Sequence, residues 1–101
     1  MWVEVFYGRD LIGRARLDHL DPPMGVAFGV FTPTISYNQE AHAGPDRGLI
    51  VKTVQGEQIE CEGAAIESAP GHLGLEVLGI PYPIYSQYFA AHPDYEAYWK
   101  R

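Results

Sequence analysis

Four histidines, a single cysteine and scattered carboxylates are the side chains through which this chain would do chemistry. Asp18, His19, Asp21, Glu40 and His42 would converge if the segment Ser36–Gly48 folded back over the turn at Pro22. Two imidazoles and a carboxylate suit zinc or ferrous iron. The chain has no His-x-His or Glu-x-x-His spacing and no helix with paired histidines, so no metal and no other cofactor is expected. Cys61 would be the nucleophile of a cysteine enzyme, with His72 or His92 as its base. Its alternation with Ile59 reads instead as a small apolar residue on a strand. Glu60 and Glu62 alternate as solvent-facing carboxylates do on half-buried strands, and they carry no assigned acid–base role. Ser36, Ser68 and Ser86 stand in no Gly-x-Ser-x-Gly elbow, and Gly8, Gly13, Gly44 and Gly48 match no nucleotide fingerprint. An enzyme is therefore the less favoured reading.

The aromatic residues near the C-terminus say more. Seven of the thirteen aromatics fall between Tyr82 and Trp99. Ile84, Tyr85, Tyr88 and Phe89 lie at helical spacing after Pro81-Tyr-Pro83, and Tyr95, Tyr98 and Trp99 share a face after His92-Pro93. Asp94 and Glu96 near the start of the second helix, and Lys100 and Arg101 at its end, suit the helix dipole. Ile84 and Phe89 would anchor the first helix and Trp99 the second. Rings beyond that need point to an interface, where Tyr and Trp are enriched. The candidate contact residues are Tyr85, Tyr88, Tyr95, Tyr98 and Trp99, with Asp94 and Glu96 as an acidic rim.

Positioning these groups falls to strands, organised around Asp21-Pro-Pro-Met-Gly-Val-Ala-Phe-Gly-Val-Phe-Thr-Pro33. Pro22 and Pro23 fix φ, hold Asp21 extended and close a turn to Gly25. A strand then runs from Val26 to about Phe31. Its bulky side chains alternate with Ala27 and Gly29, a shallow strip that lets another element or a ligand approach the backbone. His19, Asp21, Ala27, Gly29 and His42 form the alternative, pocket-type site. Residues 2–7 and 11–17 read as a hairpin, with Tyr7 opposite Leu11, Phe6 against Ile12, Val5 opposite Gly13 and Glu4 opposite Arg14. That register puts Val3, Val5, Tyr7, Leu11 and Ala15 on one face. A short helix capped by Ser36 follows the long strand. Leu49–Val54 pairs with Gln58–Glu62 so that Lys52 faces Glu60 and Val51 faces Cys61. Extended chain from Gly63 to Pro70 and a strand over Leu73–Ile80 complete the sheet. The fold class is mainly β within α+β: one domain over residues 1–101, with five or six strands in a bent antiparallel sheet or small open barrel. Two short C-terminal helices cover one end.

Composition sets the outer bounds. A chain of 101 residues buries roughly 65% of its unfolded surface without staples, and 47% hydrophobic residues argue against disorder. A net charge of −6 makes nucleic acid an unfavourable partner. Charge is unevenly spread: no Lys or Arg occurs from Thr53 to Trp99, where seven acids stand. One cysteine excludes an internal disulfide and suits a reducing compartment. The absence of a basic-then-apolar leader and of a long apolar run points to a cytoplasmic protein with no membrane segment. The expected function is a small cytoplasmic protein-binding module, an adaptor or a neutralising partner of a basic protein, with self-association as a homodimer ranked second. The alternative is a small-molecule-binding or hydrolytic protein with a pocket near residues 21–33.

Overall fold

A computed structural model describes residues 1–99; the expected basic end of the last helix, Lys100 and Arg101, lies outside the described residues. The strands are β1 (Trp2–Tyr7), β2 (Asp10–Arg16), β3 (His19–Asp21), β4 (Val26–Pro33), β5 (Ile50–Thr53), β6 (Gly63–Ala69) and β7 (His72–Leu78). All pair antiparallel, in the order β5-β1-β2-β4-β7-β6, with β3 beside the first half of β4. The sheet curls into a half-barrel. The helices are α1 (Gln39–His42), α2 (Ile84–Phe89) and α3 (Pro93–Trp99), with a 3-10 turn over Pro22–Met24. The expected class is thus the observed one. The strand count rises to seven among the described residues because His19–Asp21 pairs with β4 instead of only leading into the turn.

The opening hairpin follows the expected pairs from Trp2–Arg16 to Val5–Gly13 and then departs from them. Phe6 faces Leu11 and Tyr7 faces Asp10, so Ile12 is the extra residue of a bulge. The reason lies in the core. A bulge lets Ile12 and Gly13 both turn inward, and Ile12 is completely buried. Strict alternation would leave that side chain outside, while Tyr7, placed inward by the sequence, is exposed. Gly13 has its own task, since a Cβ there would collide with the ring of Phe31, which lies across β2.

A second correction concerns residues 58–62, which form no strand. Gly56, at φ +90°, closes a tight turn in which its N–H donates to the Thr53 carbonyl at 2.9 Å. Lys52 therefore bridges to Gln58 and not to Glu60, and the Ile59 N–H donates to the Val51 carbonyl at 2.8 Å. This register sinks Ile59 into the core and leaves Cys61 only half-buried. Burial of the larger apolar side chain decides it. Residues 57–59 thereby cover the free edge of β5. On the opposite edge the Gly44 N–H covers β6 through a 2.8 Å bond to the Ile66 carbonyl.

The cap of α1 is Asn38, not Ser36: its Oδ1 accepts from the Ala41 N–H at 3.1 Å. The Asn38 N–H in turn donates to His42 Nδ1 at 2.9 Å, and the imidazole is buried between Tyr7 and Tyr37. Asn38→Ala is expected to cost about 1 kcal/mol. Thermal unfolding should show it as a fall in Tm of roughly 4–8 °C.

Candidate functional site

Three hydrogen bonds tie the Pro22 turn and the start of β4 to residues 80–85, the segment that leads into α2 and its first turn. Gly25 adopts φ +64°, and a Cβ there would stand 2.7 Å from the Ile80 carbonyl oxygen. The Ile80 N–H donates to the Gly25 carbonyl at 2.9 Å. The Tyr82 hydroxyl donates to the Pro22 carbonyl at 2.9 Å, and the Tyr85 hydroxyl donates to the Val26 carbonyl at 2.8 Å. Tyr85 is completely buried. Burial pushes its phenol far above the ordinary value, and Tyr82 and the charges of Asp21 and Asp94 push in the same direction.

Helix α3 is docked by its first turn. The Leu20 N–H donates to Asp94 Oδ2 at 3.2 Å, which joins α3 to β3. The Asp94 N–H donates to His92 Nδ1 at 3.1 Å, so His92 acts as a helix cap. Burial raises the Cys61 thiol, partly offset by a backbone hydrogen bond at Gly63, and a thiol held neutral is a poor nucleophile.

Between α3 and the turn lies a cleft of about 410 Å³. Its walls are Leu20, Asp21, Pro22 and Pro23 on one side, and Asp94, Ala97 and Tyr98 on the other. Asp21 from the pocket-type set thus meets Asp94 and Tyr98 from the interface set. The Tyr98 ring packs edge-on against Trp99 at 4.8 Å between centroids, and Trp99 is 58% exposed. Phe89 is a buried anchor of α2, as the sequence reading expects, but the other anchors differ. Tyr85 and Phe89 are the buried rings of α2, with Tyr88 and Ile84 half-buried beside them. Tyr95 packs on the core for α3 and leaves Trp99 outside, because Trp99 lies a full turn further from the docked end. Glu96 is on the exposed side of α3. Spacing in the sequence does not mark Leu20, the two prolines or Ala97 as site residues; the Pro-Pro turn is the one signal it offers for them.

The other candidates are dispersed. Ala27 is completely buried. A Cβ at Gly29 would run into the Arg16 carbonyl oxygen and stand 3.4 Å from the Asp18 nitrogen. The shallow strip is therefore covered by the protein's own backbone. Gly29 and His19 also border a groove of about 330 Å³ on the outer sheet face, together with Phe28, Val30, His72 and Gly74. Ala27 and His42 are not among its walls. Among the described residues no three His, Cys, Asp or Glu side chains are grouped to hold a metal ion, and no helix is long and apolar enough to cross a membrane.

No protein-family model, curated protein or solved structure matches this chain.

Proposed function

We propose that the chain is a small cytoplasmic protein-binding module that receives a basic partner at the end of the sheet where α3 meets the Pro22 turn. The observation that carries this reading is the cleft that unites Asp21, Asp94 and Tyr98, with the exposed indole of Trp99 beside it. Carboxylates at a rim steer a basic protein toward the site, and rings that lose water on contact hold it there. The proline walls are rigid, so little ordering entropy is lost when the cleft is filled. No Lys or Arg from Thr53 to Trp99 competes with the partner for those carboxylates.

The test is an affinity pull-down with the full chain as bait, compared with the double variant Asp21→Asn, Trp99→Ala. Both side chains are exposed, so the variant should keep the wild-type thermal transition within about 0.5 kcal/mol. The wild-type bait is expected to retain a basic protein that the variant loses. Raising ionic strength to about 0.5 M should release it, since exposed charge pairs are screened within a few ångströms at that salt. Equal retention by both baits, or a retained protein indifferent to salt, removes the reading.

A further inference from the structure

The walls of the α3 cleft are of three kinds. Leu20, Pro22, Pro23 and Ala97 are apolar, Asp21 and Asp94 bring carboxylates from opposite sides, and Tyr98 brings a ring. Local contacts draw the two carboxylates toward one another. Asp94 accepts the N–H of Leu20, the residue just before Asp21. Asp21 stands opposite Val26 in the β3–β4 pair, and the Val26 carbonyl holds the Tyr85 hydroxyl. Both charges act on that one phenol. Two anions beside one volume repel each other, and apolar walls strengthen the repulsion by lowering the local dielectric. The chain does not relieve it. Among the described residues the salt bridges are Glu4–Arg14 and Arg16–Asp18, and neither Asp21 nor Asp94 takes part in them.

Resting on the function proposed above, we infer that the cleft takes one arginine side chain of the basic partner. Asp94 Oδ2 is engaged by the Leu20 N–H at 3.2 Å, so its other oxygen is the one left for a ligand, and Asp21 offers its carboxylate from the facing wall. The incoming group must therefore donate in two directions at once. A guanidinium carries five N–H donors around a rigid plane and reaches both walls, with the Tyr98 ring beside it to add cation–π attraction. An ammonium gathers three donors on one atom and is more strongly hydrated, so it gains less in a cleft with apolar walls. The methylenes of the arginine lie along Leu20, the two prolines and Ala97. A volume of about 410 Å³ is that of a small-ligand site and leaves room for the peptide backbone next to the side chain.

Titration of the isotope-labelled full chain with Nα-acetylarginine amide, followed by amide NMR, tests this directly. A ligand of that size is expected to bind in the millimolar range and to shift the amides of Leu20, Asp21, Asp94 and Ala97. The citrulline analogue keeps the shape without the charge and should bind about tenfold more weakly or worse, and the lysine analogue about threefold more weakly. Asp94→Asn keeps an acceptor for the Leu20 N–H, so α3 stays docked. That variant and Asp21→Asn should each weaken the arginine probe by about fivefold or more. Glu96→Gln, on the same helix but outside the cleft walls, should leave binding unchanged. Cleft amides that do not move overturn the inference, as does a citrulline or lysine probe that binds as tightly as arginine. An equal loss in Glu96→Gln also overturns it, because the probe then responds to the acidic surface at large. The pull-down answers separately. A basic protein retained through Asp21 and Trp99 while the arginine probe leaves the cleft unmoved removes the arginine pocket alone. Probe binding with no protein retained upholds the pocket and removes the protein partner.

Discussion

Gly29→Ala is expected to cost about 3 kcal/mol, at the upper end of what overpacking a closed site costs. The larger Gly29→Val should leave little folded protein. The cause is an encounter with backbone and not with a side chain that can rotate away. The new Cβ would lie inside the contact distance of the Arg16 carbonyl oxygen, where the chain crosses β4 between Arg16 and Asp18. That carbonyl also accepts the Asp18 N–H at 3.0 Å, so it cannot move without breaking a second contact. Urea unfolding measures the effect as a lower midpoint with an unchanged slope. Gly63→Ala is the control: a Cβ there meets nothing within 4 Å, and the change should stay within about 0.5 kcal/mol. If Gly29→Ala behaves like the control, the strip is open and the covering segment is not packed upon it.

The second large effect is expected at Tyr85. Truncation to alanine removes a completely buried ring that packs, tilted, against Phe89 at 5.0 Å and Tyr95 at 6.3 Å between centroids. A loss of about 3–5 kcal/mol follows from the transfer and cavity terms together. Tyr85→Phe keeps the ring but leaves the Val26 carbonyl without the hydroxyl donor, which costs about 1–2 kcal/mol. The pair of variants separates packing from hydrogen bonding at one position. The same phenol sets the alkaline limit of stability. Its folded pKa is raised, so its contribution is complete below the unfolded value of about 10. That contribution is lost as pH rises from there toward the folded value, because only the unfolded chain releases the proton easily. Stability of the parent should therefore fall above about pH 10. Tyr85→Phe should flatten that fall, leaving the smaller contributions of Tyr37 and Tyr82, whose phenols burial also raises. An equally steep fall in the variant would assign the alkaline transition to other groups.

The sequence by itself determined the class of this fold, because alternation and turn chemistry are local properties. Val3, Val5 and Ala15 alternate inward, Pro22–Gly25 closes where two prolines and a glycine stand, Pro81 precedes α2 and Pro93 opens α3. It also showed that Gly29 and Ala27 leave room beside a strand, though not for what. The tertiary structure decided that the occupant is the backbone between Arg16 and Asp18. It decided the bulge at Ile12, since burying one more aliphatic side chain outweighs a broken step in the ladder. It moved the partner of Val51 from Cys61 to Ile59 for a similar reason. Among the aromatics, spacing could place Tyr85, Tyr95 and Trp99 on helix faces but could not rank their burial. That ranking depends on where the Asp94–Leu20 bond seats the first turn of α3, seventy-four residues apart in sequence. Contacts at that separation leave no periodic trace in the chain, so only the folded sheet could bring Asp21 to Asp94.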